Sequence, residues 1–149
     1  MEKSNITIYT DGSCLNNPGP GGWAFIIEHH ASLSTIERSG SEPATTNNRM
    51  ELTGLIKAFE QLNKPCNVTI CSDSQYVLKG ILEWLPNWVK NNWVCGKDKH
   101  PVKNKDLWEK IYDFTKIHSI TTDWVKGHNG HAENVKCDFL AQEAARSLK

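Results

Sequence analysis

The sequence predicts a single α/β domain in which a five-stranded mixed sheet is flanked by helices. Three observations predict it. The first forty residues read as consecutive strands separated by turn formers, and the apolar period then switches from two to about 3.6 near Asn48. Beyond that point strand-like and helix-like segments alternate, giving the order βββαβα…αβα, which calls for both antiparallel and parallel pairing. The length of 149 residues suits one core rather than two, so residues 1–149 are expected to form one domain.

Ile6-Thr7-Ile8-Tyr9-Thr10 alternates apolar and polar residues before Asp11-Gly12, the pattern of a strand ending in a turn. The loop Asn16 to Gly22 is dense in Pro, Gly and Asn, and Trp23-Ala24-Phe25-Ile26-Ile27 follows as a second, buried strand. A third strand is expected over Ser32 to Gly40. From Asn48, residues Leu52, Leu55, Ile56, Phe59 and Leu62 form one apolar helical stripe that Lys64-Pro65 ends. Val68-Thr69-Ile70-Cys71 is a short buried strand, and Ser72-Asp73-Ser74 suits the start of another helix. Residues 84–105 change character, with Trp84, Trp88 and Trp93 among Lys90, Lys97, Lys99, Lys103 and Lys105, as in a basic protruding element. Asp106 to Lys116 should be helical, Ile120 to Val125 a last strand, and Ala132 to Leu148 a closing helix with Cys137, Leu140, Ala141, Ala144 and Leu148 on one side.

Bulk chemistry narrows the function. Lys plus Arg and Asp plus Glu both number 17, so any grip on nucleic acid must come from a local patch rather than an overall field. The five cysteines lack paired CxxC spacing and read as free thiols. No apolar run approaches a membrane span and no export signal is visible, so a cytoplasmic protein without membrane contact is expected. No dimerisation motif appears, and a monomer is expected.

Three acids sit at element boundaries: Asp11 after the first strand, Glu51 in the first turn of a helix and Asp73 after the fourth strand. Each has an ordinary structural role available. Asp11 can shape an Asp-Gly turn, Asp73 can cap a helix, and Glu51 stands three residues after Asn48, the spacing of a capping box. Together, however, the loops at the carboxyl ends of central strands border the usual crevice of an open α/β sheet. Converging carboxylates repel unless a cation shares them, and hard oxygen ligands without a thiolate or histidine cluster suit Mg²⁺ or Mn²⁺.

Four blocks then carry a family resemblance. They are Tyr9-Thr10-Asp11-Gly12-Ser13-Cys14 with Asn17 to Gly22, Thr46-Asn47-Asn48-Arg49-Met50-Glu51-Leu52, Ser72-Asp73-Ser74-Gln75-Tyr76-Val77, and Trp124-Val125-Lys126-Gly127-His128-Asn129-Gly130-His131. In order and spacing, from Ile6 to about Arg146, the chain resembles the type 1 ribonucleases H. The resemblance implies the ribonuclease H-like fold and an endonuclease that cuts the RNA strand of RNA–DNA hybrids, leaving 5′-phosphate and 3′-hydroxyl ends. It implies a catalytic quartet of Asp11, Glu51, Asp73 and Asp138 holding two Mg²⁺ ions, with Mn²⁺ as the alternative. Asp11 would bridge the ions, Glu51 and Asp73 would hold the water-activating side and Asp138 the leaving-group side. His128 would assist proton movement or product release. On pattern alone Asp138 reads as an acid beside the apolar stripe of the last helix.

Neutral amides suit a 2′-hydroxyl, which donates and accepts, so Asn17, Asn48 and Gln75, flanked by Cys14 and Asn47, are the expected contacts to RNA. Thr46 and Arg49 near a helix start are expected to hold a DNA phosphate. The protrusion, with Trp84, Lys90, Lys97 and Lys99, resembles the basic element of bacterial-type enzymes. Most of its tryptophans are expected to anchor it by packing. Two alternatives keep the fold: a transposase- or resolvase-like nuclease, and a hybrid-binding module without catalysis. Phe139 stands where bacterial relatives commonly carry an acid, beside the fourth expected ligand.

Overall fold

The computed structural model describes residues 3–97, 99–125 and 132–148. Strands β1 (Ser4–Cys14), β2 (Gly19–His29) and β3 (Thr35–Thr45) form an antiparallel meander, and helix α1 (Asn47–Phe59) leads to β4 (Cys66–Ser72). Next come α2 (Gln75–Lys79), a π-helical turn (Gly80–Trp84), α3 (Leu85–Lys90) and a two-residue hairpin, β5 (Val94–Cys95) with β6 (His100–Pro101). Helix α4 (Lys105–Ile117), β7 (Ser119–Trp124) and α5 (Ala132–Arg146) complete the order. The main sheet runs β3-β2-β1-β4-β7, antiparallel on the β3 side and parallel from β1 to β7.

Period-two alternation divides the core between the two faces of the sheet. Ile6, Ile8, Phe25, Ile27, Val68 and Ile70 point to the face covered by α1 and α4, where they meet Leu52, Leu55, Phe59 and Ile111. Tyr9, Ala24, Ile26 and Cys71 point the other way, onto Cys137 and Ala141 of α5. Two glycines set how closely those helices sit. A Cβ on Gly12 would lie 2.6 Å from the Met50 carbonyl carbon, and one on Gly22 would lie 2.7 Å from Ala145 N. A side chain at either position would push α1 or α5 off the sheet.

Several boundaries differ from the expectation. β3 begins at Thr35 and continues to Thr45 instead of spanning Ser32 to Gly40. It is an exposed edge strand carrying Pro43, so its own sequence shows little alternation and its register is imposed by β2. Leu62 lies beyond α1 yet packs against the core. Leu148 lies past the end of α5, 41% exposed, so it does not extend that helix's apolar side.

The segment 84–105 is α3 followed by the small hairpin, anchored by aromatic packing. Trp88 lies 5.9 Å from Trp84, 6.5 Å from Trp93 and 5.3 Å from the fully buried Trp108 (ring centroids). Tyr76 joins the stack at 5.8 Å from Trp84, and its hydroxyl accepts a hydrogen bond from Trp108 Nε1 at 3.0 Å. The indoles thus tie the protrusion to α2 and α4 while its lysines stay exposed.

Candidate metal centre and nucleic-acid interface

The three acids of the sequence pattern meet in space, and none has the ordinary role open to it. β1 runs straight through Asp11 to Cys14, so Asp11 lies within a strand, paired with Ala24 and only 6% exposed, rather than at a turn. The cap of α1 is Thr46, whose hydroxyl accepts from Arg49 N at 3.2 Å, so Asn48 is not the cap and Glu51 is not in a capping box. The cap of α2 is Ser74, whose hydroxyl accepts from Val77 N at 3.3 Å, so the Asp73 side chain is not spent there. One carboxylate oxygen from each of Asp11, Glu51 and Asp73 lies within 4.8 Å of the others.

The electrostatics are those of a site made for a cation. Burial, and then the negative charge of Asp73, push the Asp11 carboxyl from 3.8 up to about 7, with Asp138 adding to the same effect; the Glu51 hydrogen bond and the Gly12 N–H, 2.8 Å from Oδ1, pull the other way. Burial, followed by Asp11, holds the Glu51 carboxyl well above its ordinary value. Glu51 Oε2 is buried with no hydrogen-bond partner, although a buried oxygen normally has one. An unpartnered oxygen beside two more carboxylates fits a hard divalent ion, which takes oxygen ligands and offsets their repulsion.

Asp138 belongs to the same electrostatic neighbourhood, since its charge acts on Asp11. It sits on α5 one turn beyond Asn134, whose Nδ2 donates to Cys71 O at 3.3 Å and so ties the start of α5 to β4 just before Asp73. His128 and the rest of Lys126 to His131 lie outside the described residues.

The expected substrate residues gather around the helix starts next to this cluster. Cys14 Sγ points into the β1–β2 loop, 3.1 Å from Asn16 O and 3.4 Å from both Gly19 O and Thr45 O. Asn17 Oδ1 accepts from Asn47 N at 3.2 Å, joining that loop to the first residue of α1, while Asn48 and Gln75 are exposed in the first turns of α1 and α2. Arg49 is already engaged: Nη1 and Nη2 contact Asp106 at 3.0 and 2.8 Å, and Nη1 also contacts Asn104 Oδ1 at 3.2 Å. Asn104 does not stand out in the sequence. It adopts a left-handed backbone (φ 61°) just before α4, and an asparagine ahead of a helical run is the only local signal it gives. Trp84 is half-buried against Tyr76 and Trp88. Lys90 and Lys99 line a cavity of about 570 Å³ with Asn91, Asn92 and Val94, and Lys97 is exposed on the same protrusion.

A mixed α/β sheet with a carboxylate cluster where its central parallel strands end defines a class of proteins built to hold a divalent ion at that edge. The RNase H family pattern matches residues 3–146, and the chain belongs to that family. It is 49% identical to Ribonuclease H of Xanthomonas oryzae pv. oryzae over 97% of this chain and 95% of the relative. Among solved structures, LC9-RNase H1, a type 1 RNase H with the type 2 active-site motif, matches with a TM-score of 0.85 at 31% identity over 100% of this chain and 75% of its own. LC11-RNase H1, crystallised with an RNA/DNA hybrid, shares the fold with a TM-score of 0.70 at 24% identity over 95% of this chain and 97% of its own. No helix among the described residues is long and apolar enough to cross a membrane.

Proposed function

We propose that this chain hydrolyses the RNA strand of RNA–DNA hybrids with two Mg²⁺ ions held by Asp11, Glu51, Asp73 and Asp138, leaving 5′-phosphate and 3′-hydroxyl ends. The observation that carries this reading is the convergence of three carboxylates within 4.8 Å around a buried, unpartnered Glu51 oxygen, in a chain of this family. Ions held there would supply Lewis-acid chemistry, lowering the pKa of a water and offsetting negative charge at the leaving 3′-oxygen.

The protein's own part is to bring the acids together and aim them at one point. Asp11, with its carboxyl near 7, must lose a proton before it ligates, so ion binding strengthens as pH rises through neutrality. His128 is assigned proton transfer to or from the reacting oxygens. Asn17, Asn47, Asn48 and Gln75, beside Cys14, offer amide and backbone groups to the 2′-hydroxyls of the RNA strand. Thr46 and Arg49 face a phosphate of the DNA strand, and Lys90, Lys97 and Lys99 beside Trp84 hold that strand further out. Hybrids at replication primers are the expected substrates, met in the cytoplasm by a monomer.

The test is incubation of the purified protein with a labelled hybrid, duplex DNA and duplex RNA, with and without Mg²⁺, followed by mapping of fragment ends. Cleavage confined to the RNA of the hybrid, dependent on Mg²⁺ and ending in 5′-phosphate, is expected. Cutting of duplex DNA points to a resolvase-like enzyme. Hybrid binding without products in Mg²⁺ points to a binding module.

A further inference from the structure

The proposed metal centre has a support that none of the motif blocks contains. Along one side of α5, Asp138 Oδ2 accepts a hydrogen bond from Gln142 Nε2 at 3.0 Å, and Gln142 Oε1 accepts one from Arg146 Nη2 at 3.3 Å. Arg146 is itself fixed by Glu143, 2.9 Å from Nη1. A guanidinium can only donate and an ionised carboxylate can only accept, so both neighbours demand the same orientation of the amide between them. The row is therefore polarised in one sense, from arginine to carboxylate.

The helix that carries this row is itself held in place. Gly22 lets α5 rest directly on β2, and the Asn134 hydrogen bond to Cys71 O ties its first turn to β4. With the backbone fixed, what remains adjustable at Asp138 is the side-chain rotamer, and the Gln142 amide restrains it. We infer that Gln142, steadied by Arg146, is a positioning residue that presets the Asp138 carboxylate for a divalent ion. This rests on the reading of Asp138 as the fourth ligand. Groups that hydrogen-bond a metal-ligating carboxylate orient it and raise ion affinity without touching the ion.

A plain helix-stabilising pair four residues apart makes the same hydrogen bond, and the two roles are separated by what they move. A purely structural pair changes the melting temperature and leaves the Mg²⁺ requirement alone. A positioning residue changes the Mg²⁺ concentration at half-maximal rate. Gln142→Leu keeps a helix-forming side chain of similar size and removes the donor; it should raise that concentration about tenfold with the hybrid KM unchanged. Gln142→Glu, of the same shape, replaces the donor with a like charge and should raise it at least as far. Arg146→Ala should give a smaller rise of the same kind.

A readout independent of turnover is the Gln142 side-chain amide resonance, assigned by its disappearance in Gln142→Leu. In the wild-type protein it should shift as Mg²⁺ is added in the presence of a hybrid whose RNA linkages are replaced by non-hydrolysable analogues, and in Asp138→Asn it should not. An unchanged Mg²⁺ midpoint in Gln142→Leu, alongside an inactive Asp138→Asn, overturns the positioning role and leaves the metal centre standing. Wild-type rate and Mg²⁺ dependence in Asp138→Asn removes the fourth ligand, and this inference with it.

Discussion

Arg49 in the first turn of α1 and Asp106 in the first turn of α4 form a two-pronged ion pair, 3.0 and 2.8 Å, between residues 57 positions apart. The side chain that the sequence suggests for phosphate binding is thus paired with an acid. Asp106 orients the guanidinium and at the same time lowers its net pull on a phosphate. Because both partners are substantially exposed, the pair contributes no more than about 1 kcal/mol to stability.

Arg49→Ala should therefore raise the hybrid KM more than it lowers kcat, with little change in melting temperature. Asp106→Ala should leave KM unchanged or lower it, since the competing acid is gone. Steady-state kinetics on both variants checks this; a raised KM in Asp106→Ala that matches Arg49→Ala would mean that orientation outweighs competition.

The buried acids make the metal-free protein sensitive to pH in a definite direction. The folded pKa of Asp11, about 7, lies above its ordinary value of 3.8, so the folded state holds an extra proton between those values. Stability without metal should fall as pH rises from about 4 to 7 on account of this group, and level off above. Asp11→Asn should flatten that fall and gain about 1 kcal/mol near pH 8 in EDTA, while abolishing Mg²⁺-dependent cleavage. Urea melts across this range, paired with activity assays, test both halves. Near-normal turnover in Asp11→Asn or Asp73→Asn would remove the mechanism.

His118 works in the opposite sense. Its Nδ1 accepts the Cys66 N–H at 3.1 Å, and its ring stacks on Phe59 at 5.5 Å. Burial, then the nearby Lys3, lower its pKa below 6.5. A depressed histidine pKa contributes stability that is present above the unfolded value and lost as pH falls through the folded one. The ring resonances should titrate with a midpoint below 6.5, and His118→Ala should cost about 2 kcal/mol at neutral pH. A midpoint at or above the ordinary value would contradict the buried neutral ring.

Lys97 and Lys99 extend from a protrusion whose indoles are turned inward. For every phosphate that a lysine no longer neutralises, the slope of log affinity against log salt should shrink by about 0.9, so the double alanine variant should bind hybrid with a flatter salt dependence and an intact fold. Filter binding at several salt concentrations measures it. An unaltered slope would make the pair ordinary solvated surface.

Apolar period and turn chemistry act over a few residues, so the five main strands, the helices packed on them, the buried face of α1 and the three clustered acids were legible in the sequence, while α3 and the small hairpin were not. The sequence also offered local explanations for those acids that only packing removed. Thr46 and Ser74 take the caps, β1 continues through Asp11, and the carboxylates are left facing one another. Tertiary structure alone decided the register of β3, which has almost no buried face of its own and copies β2. It alone brought Arg49 to Asp106, and Asn134 to Cys71 across 63 positions. Such pairings depend on how a helix lands on a sheet, and at Gly12 and Gly22 that landing is set by the absence of a side chain, a fact that no local period records.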